Sequence, residues 1–146
     1  MVIEKITQPT EELLLAMQHL IPQLGPHKIP PTQEELAALL ASQGCTLLIA
    51  RDPERAGAIV GSLCLNVYRV PTGIRSIVED VVVDEGARRK GIGEALMRRA
   101  LDLAREAGAS GLSLTSRPDR EAANRLYQSM GFDLRKTNAY HYKLKE

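Results

Sequence analysis

Three consecutive basic residues and two closely spaced glycines separate a β-branched segment from an amphipathic one. The group is Arg88, Arg89, Lys90, Gly91 and Gly93, with Ile92 between the glycines. Residues 76–84 before it have the composition of a strand, and residues 94–108 after it have the spacing of a helix. A helix N-terminus offers unpaired amides and partial positive charge, and glycine allows close backbone approach. The pattern therefore predicts a diphosphate-binding turn.

This turn does not match two common phosphate-binding motifs. A P-loop has GxxxxGK followed by Ser or Thr, whereas Gly91 is followed by Ile92. A dinucleotide-binding motif has a third glycine three residues after Gly93, where this chain has Leu96. The remaining pattern is R-x-x-G-x-G. The alternative to a phosphate site is a glycine-containing turn with solvated basic side chains.

With this pattern the sequence resembles the GNAT superfamily of acetyl-CoA-dependent N-acetyltransferases. The resemblance implies that residues 88–93 wrap the pyrophosphate of coenzyme A. It also implies that the strand backbone at Val81, Val82 and Val83 runs along the pantetheine arm. A second segment, AANRLYQSMGF at 122–132, resembles the family's A-x-x-L-Y-x-x-x-G-F segment. The two segments occur in the family's order.

The second segment supplies a candidate catalytic acid. Tyr127 stands at the family position that commonly protonates the departing thiolate, and a phenol with a pKa of about 10 is suited to a leaving thiol. The alternative is a tyrosine that only packs its ring. Many family members also have a cofactor-contacting asparagine seven residues before the tyrosine. This chain has Arg120 there, and Asn124 is the candidate substitute.

Two carboxylates, Glu79 and Asp80, interrupt the apolar strand before the turn. Charged residues rarely occupy such runs without a partner or a function. The resemblance of this strand to family members implies that Glu79 is the first candidate for the base that accepts the amine proton, directly or through water, and that Asp80 is the second. In an unbroken strand they face opposite sides, so only a β-bulge brings both to one site. The alternative is a structural carboxylate bonded to backbone amides or to an arginine such as Arg75 or Arg117.

The strand around these acids also resembles that of the glucosamine-6-phosphate N-acetyltransferases, whose acids lie by the reaction centre. It departs from the histone-type pattern, in which the glutamate falls at the position of Ile77. Arg120 is a departure that weakens the transfer of a sugar-phosphate substrate to this chain. In the family the acceptor lies against segments that correspond to 22–32, 68–75 and 116–120, and the sequence leaves the acceptor open.

Hydrophobic periodicity predicts the order β-α-α-β-β-β-α-β-α-β-β in one domain over residues 1–146. The resemblance implies an α/β (α+β) fold with a GNAT-like mixed, mostly antiparallel sheet flanked by helices. Helices are predicted at 10–20, 32–44, 92–107 and 119–131, a loop at 21–31, and strands at 2–7, 46–51, 58–70, 74–84, 111–116, 132–136 and 140–144.

Composition disfavours several classes of binding partner. Lys and Arg number 19 against 18 acids, a net charge of +1, which disfavours nucleic acid as a partner. No apolar stretch approaches the ~20 residues that span a bilayer, and no signal peptide is evident, so we expect a cytoplasmic protein without a membrane partner. Cys45, Cys64 and the histidines lack metal-ligand spacing, so we expect no metal and free, buried thiols.

These observations predict an N-acetyltransferase that moves an acetyl group from acetyl-CoA, its co-substrate, to a primary amine by direct attack in a ternary complex. Cys45 and Cys64 lie away from the motifs, so no acyl-enzyme is expected. A small amine or amino sugar is favoured over a protein lysine, because no strongly acidic surface is evident. The alternative is a non-catalytic acyl-CoA-binding or interaction module, which needs neither Glu79 nor Tyr127. The oligomeric state stays open, with a homodimer as one option.

Overall fold

The structure is a computed structural model that describes residues 1–145. It contains two compact units, Met1–Thr115 and Ser116–Glu146, and each is described by itself. The first unit holds a five-stranded sheet and three α-helices, and the second holds one helix. The strands are β1 Val2–Ile6, β2 Cys45–Asp52, β3 Ala58–Val70, β4 Gly73–Val83 and β5 Leu112–Ser113; the helices are α1 Glu11–Leu20, α2 Gln33–Ala41, α3 Ile92–Glu106 and α4 Glu121–Ser129.

The five strands lie in the sheet in chain order. β1 to β4 pair antiparallel, and β5 pairs parallel to β4. This mixed, mostly antiparallel sheet with flanking helices confirms the predicted fold class. A parallel partner requires a crossover connection, and α3 supplies it between β4 and β5. No helix among residues 1–145 is long and apolar enough to cross a membrane.

The first two helices begin where their caps predict. The Thr10 hydroxyl accepts a hydrogen bond from the Leu13 amide at 3.2 Å. Thr32 and Glu35 form a reciprocal capping box, with bonds of 3.1 and 2.9 Å between side chain and backbone. Such caps satisfy amides that have no partner inside the helix. α2 nevertheless ends at Ala41, three residues before the predicted end.

The two faces of the sheet carry separate apolar cores. On the α1/α2 face, side chains of both helices pack with Leu47 and Ile49 of β2 and with Val82 of β4. α3 covers the opposite face, where its Ile92 and Leu96 lie over Gly61 of β3. A Cβ atom on that glycine would lie 3.2 Å from each of these side chains. The absence of a side chain there lets the start of α3 approach the sheet closely.

The last predicted strands require correction. β5 covers only two of the six residues predicted at 111–116, and no strand forms at 132–136 or 140–144. An alternating strand is stable when one face is buried, but the alternating Tyr140, Tyr142 and Leu144 are exposed. The predicted loop at 21–31 begins with a 3₁₀ turn, Ile21–Leu24.

Candidate functional site

One extra residue in β4 changes which way its side chains point. Ser62 lies opposite Val82 and Cys64 lies opposite Glu79, so two steps along β3 match three steps along β4. Asp80, within this β-bulge, has a φ of +50°. Because of the bulge, Val82 shares a face with Glu79, which corrects the alternation expected of an unbroken strand. The bulge that the paired acids require is therefore present.

Both acids of β4 are exposed, and neither carboxylate forms an ion pair or hydrogen bond within residues 1–115. Glu79 lies on the α1/α2 face, because it is opposite Cys64, which packs against the core there. Burial, chiefly, raises the pKa of the Cys64 thiol to about 12, and the charge of Asp80 adds to this rise. The Asp80 carboxylate is therefore close enough to the Cys64 thiol to affect its pKa. Arg75, an expected partner, instead donates to Thr72.

The second half of β4 has one unpaired edge in the first unit. β5 pairs with β4 only at Ser76 and Ile77, and the two parallel strands are not paired beyond that point. On its other edge, β4 continues to pair with β3 as far as Val83. Apart from the Val83 carbonyl, which accepts a hydrogen bond from Arg88, the outer backbone groups between Val78 and Val83 have no partner strand within residues 1–115, and unsatisfied backbone groups require a partner. This stretch includes the predicted pantetheine-binding residues.

The predicted phosphate turn follows this free edge directly. Gly91 is the N-cap of α3 with a φ of +76°, and Arg89 also has a positive φ, +68°. The first backbone bond of the helix runs from the Ala95 amide to the Gly91 carbonyl at 3.0 Å. No side chain caps this end, so the amides of Ile92, Gly93 and Glu94 have no partner within the first unit. Their free donors point to an anion site.

The three basic side chains of the turn differ in their contacts. Lys90 lies 3.4 Å from the Asp52 carboxylate and 3.3 Å from the Glu54 carboxylate, and these bonds raise its pKa. The Arg88 Nε donates to the Val83 carbonyl at 3.2 Å. Arg89 is exposed and has no ion-pair partner in residues 1–115. Of the three, Arg89 has the charge that is least engaged by the protein.

A polar cluster around Asp84 fixes the start of the turn. Its carboxylate accepts hydrogen bonds from His19 and Gln23 at 3.1 Å each and from Arg55 at 3.2 Å. Gln23 in return accepts a bond from the Glu85 amide at 2.9 Å. Partial burial raises the pKa of Asp84, but the bonds from Gln23 and His19 outweigh this effect and the net pKa is lowered.

Sequence reasoning did not find this cluster. His19 and Gln23 lie 65 and 61 residues away from Asp84 in the chain, and no local pattern links them. Its position between β4 and the turn makes it a support for the turn.

In the second unit, Tyr127 is 8% exposed, and its ring meets the Phe132 ring edge-on with centroids 6.0 Å apart. Burial raises the pKa of its phenol, and the nearby positive charge of Arg120 only partly offsets this. The phenol therefore keeps its proton at neutral pH. Its hydroxyl forms no hydrogen bond with any residue of the described part of this unit.

Asn124 organises the loop before α4. Its side-chain amide donates to the carbonyls of Arg117 and Arg120, both at 2.9 Å. Both donors of the amide are thus engaged, and the side-chain oxygen is left for other contacts. Ser116, at the start of this loop, has a buried hydroxyl without a partner among the described residues. Such a group calls for an explanation, and a bound ligand is one.

Comparison with known proteins identifies the family. The model of the acetyltransferase (GNAT) family matches residues 12–132. Probable glucosamine 6-phosphate N-acetyltransferase 2 of Oryza sativa subsp. japonica is 33% identical over 123 residues, 82% of this chain and 71% of that protein. Streptothricin acetyltransferase of Streptomyces lavendulae is 47% identical over 58 residues, 40% of this chain and 31% of that protein.

Among solved structures, an aminoglycoside acetyltransferase from an uncultured soil metagenomic sample, in complex with sisomicin, matches with a TM-score of 0.83 at 19% identity. The match covers 99% of this chain and 96% of that one, and at this identity it shows the fold alone. The family match includes the turn, β4 and Tyr127. The chain belongs to the acetyltransferase (GNAT) family, and it is an acetyltransferase. Enzymes of this family use acetyl-CoA as co-substrate.

We expect Asp84→Asn to lower the free energy of unfolding by about 1–3 kcal/mol near neutral pH, because an amide presents a donor where three donors converge. The folded-state pKa of Asp84 is lowered, so its stabilising contribution is present above the ordinary value of 3.8 and is lost as the pH falls through the folded value. The difference between variant and wild type should therefore shrink well below pH 3.8. Urea denaturation near pH 7 and at a pH well below 3.8 measures this difference in the free energy of unfolding.

Glu85→Gln is the matched control, because the Glu85 carboxylate has no partner in the first unit and only its backbone amide is bound. It should change stability by less than about 0.5 kcal/mol. An equal loss of stability in the two variants would show that the Asp84 carboxylate does not stabilise the turn.

Proposed function

We propose that this enzyme transfers the acetyl group of acetyl-CoA to the primary amine of a small molecule, such as an amino sugar, in a ternary complex. One observation carries the proposal: the unpaired edge of β4 leads directly into the uncapped N-terminus of α3. This arrangement offers backbone donors and acceptors to an amide-containing chain, followed at once by free amides for a diphosphate. Pantetheine joined to pyrophosphate has these two groups in this order.

Residues 88–93 bind the pyrophosphate in this proposal. The amides of Ile92, Gly93 and Glu94 donate to its oxygens, and the partial positive charge of the helix end adds attraction. Arg89 contributes the free charge, whereas Lys90 holds the turn against Asp52 and Glu54. Beyond the adjoining backbone, no atom of residues 1–145 lies within 4 Å of the position that a Gly91 Cβ would occupy, which leaves room for the ligand.

Val81, Val82 and Val83 contribute backbone rather than side-chain contacts. The outer amides and carbonyls of this stretch, apart from the Val83 carbonyl that Arg88 engages, pair with the two amides of pantetheine, as a further strand would pair with β4. Asn124 is proposed to contact the cofactor through its side-chain oxygen, because both donors of its amide are already engaged. These assignments place the acetyl group near the bulge, at the other end of the free edge from the turn.

The chemistry requires a neutral amine, which attacks the thioester carbonyl to form a C–N bond while the C–S bond breaks. Glu79 accepts the proton that the amine loses, directly or through a water molecule. Asp80, beside it on the bulge, holds the acceptor's cationic form near the site before deprotonation. The absence of any described ion pair for either acid supports a functional role over a structural one.

Tyr127 donates the proton that the departing thiolate takes up. Its raised pKa keeps the phenol protonated at neutral pH, which suits an acid. Direct attack is favoured over an acyl-enzyme although Cys64 is opposite Glu79, because a thiol with a pKa of about 12 is almost entirely protonated near pH 7. Cys64 is thus closer to the predicted site than its sequence position indicates.

The acceptor assignment draws on two named proteins. The rice relative is named for an amino-sugar phosphate, and the soil enzyme was solved with the aminoglycoside sisomicin. A net charge of +1 offers no strong attraction to basic protein tails. Both points support a small amine over a protein lysine.

Gly91→Glu should abolish acetyl-CoA binding while the fold stays intact, because it puts a negative charge at the diphosphate site. Gly91→Gln is the matched control, since both side chains carry the same backbone cost at a φ of +76°. We expect affinity at least about tenfold lower for the glutamate than for the glutamine variant. Calorimetric titration with acetyl-CoA measures the affinity of each variant. Equal affinities would show that the turn does not bind the diphosphate.

Glu79→Gln should reduce kcat by about 10²–10⁴-fold near pH 7 with acetyl-CoA affinity unchanged, because the variant loses the base but keeps the backbone contacts. Steady-state assays of thiol release with a panel of amino sugars and small amines measure this change. Asp80→Asn is compared under the same conditions and should lose less. A larger loss in the Asp80 variant would transfer the role of base to that residue.

Removal of the Tyr127 hydroxyl in Tyr127→Phe should lower kcat by at least about tenfold and leave acetyl-CoA affinity nearly unchanged. The phenylalanine ring keeps the edge contact with Phe132. Tyr140→Phe alters an exposed tyrosine and serves as the control. Unchanged turnover in the Tyr127 variant would exclude the residue from proton transfer.

A further inference from the structure

Two thiols from neighbouring strands touch on the sheet. Cys45 begins β2 and Cys64 lies within β3, 19 residues later, and their sulfur atoms are 3.5 Å apart. Both cysteines are free and half-buried. Neither belongs to the acetyl-transfer chemistry proposed above, so their contact needs a separate explanation.

The strand register brings the two sulfurs together. Leu47 lies opposite Cys64 and Cys45 lies opposite Asn66, so the cysteines are diagonal neighbours on one face. Diagonal Cα atoms in an antiparallel pair are about 7–8 Å apart, slightly more than the roughly 4.4–6.8 Å of most disulfides. A bond between these sulfurs needs only a small approach of the strands, and the residual strain makes it easy to reduce.

Cys64 also links this pair to the bulge of β4. It lies directly opposite Glu79, and its sulfur accepts a weak bond from the Asn66 amide at 3.8 Å. A change in the position of Cys64 is therefore transmitted to the backbone that carries Glu79.

We propose that Cys45 and Cys64 are a reversible oxidation site, in which a hydroperoxide closes an intrachain disulfide between β2 and β3, and that closure slows acetyl transfer. The disulfide itself does not depend on the proposed function. The effect on acetyl transfer does depend on the proposed function, because it acts through the position of Glu79.

The reaction proceeds in two balanced steps. The hydroperoxide transfers one oxygen atom to the first thiol, which becomes a sulfenic acid, and an alcohol or water leaves. The second sulfur then attacks the sulfenic sulfur, the S–S bond forms, and the hydroxyl leaves as water with the proton of the second thiol. Two thiols are thus oxidised and one peroxide O–O bond is reduced.

Cys45 is the thiol that reacts first. Burial and the nearby charges keep the Cys64 thiol protonated, and the thiolate is the form that attacks a peroxide. Cys64 is therefore the resolving thiol. Its sulfur comes from 3.5 Å to a bonding distance of about 2.0 Å when the sulfenic acid has formed.

The first test treats the reduced protein with a small excess of hydrogen peroxide, blocks the remaining thiols with an alkylating agent and maps the peptides by mass spectrometry. We expect one Cys45–Cys64 linked peptide, a mass lower by two hydrogen atoms and full reversal by dithiothreitol. Both cysteines alkylated, or disulfide-linked dimers in place of the intrachain bond, would overturn the proposal.

Two single variants test the order of the steps. In Cys64→Ser, the sulfenic acid on Cys45 has no resolving partner and should be trapped by dimedone. In Cys45→Ser, Cys64 should remain a thiol under the same treatment. Equal dimedone labelling of the two variants, or labelling of the Cys45→Ser protein alone, would overturn the assignment of the first thiol.

The effect on transfer is read as the ratio of kcat before and after oxidation, with thiol release from acetyl-CoA as the assay. We expect at least about a tenfold decrease for the wild type, restored by dithiothreitol, and no change for Cys45→Ser. A linked peptide with unchanged kcat would overturn the second part of the proposal. The activity of the reduced protein separately tests the proposed function.

Discussion

The extra residue in β4 is the constraint on which the site depends. Val78 lies opposite Leu65 and Val82 lies opposite Ser62, so two residues of the same parity face opposite sides of the sheet. Without the bulge, Val82 would leave the core beneath α1, and Asp80 would be placed among the apolar side chains of the other face. The bulge thus allows one strand to serve two cores and to present two adjacent carboxylates.

The bulge and the predicted phosphate-binding turn are held by different parts of the chain. β3 pairs with β4 on both sides of the bulge, whereas α1 and the turn after β2 reach the residues that precede α3 through Asp84. Gly61 completes this support by letting α3 approach the sheet. The free backbone groups of the site are therefore carried by well-supported elements, as precise binding requires.

Features that depend on neighbouring residues could be predicted from the sequence. The capping box at Thr32 and Glu35, the β3–β4 hairpin and the glycine turn all follow from local spacing, and the structure contains each of them. The resemblance to known acetyltransferases added the order of the elements and the family. The roles of Glu79, Asp80 and Tyr127 rest on that resemblance and remain proposals.

Other features depend on contacts that local spacing does not encode. The Asp84 cluster joins segments more than 60 residues apart, and the cysteine contact depends on the register between β2 and β3. Asp80 adopts a positive φ without being glycine, because pairing on both sides of it fixes the backbone. The alternation of apolar and polar residues at 140–144 predicted a strand that does not form, since the pattern alone does not supply a neighbouring strand to pair with.

The brief pairing of β5 also has a consequence for dynamics. Only Ser76 and Ile77 of β4 engage it, whereas β3 is paired along almost the whole of β4. Opening that edge breaks few hydrogen bonds, so local unfolding there requires much less free energy than global unfolding. The amides of β5 should exchange with solvent deuterium long before those of β3. β5 is thus the strand of the sheet that should open most readily.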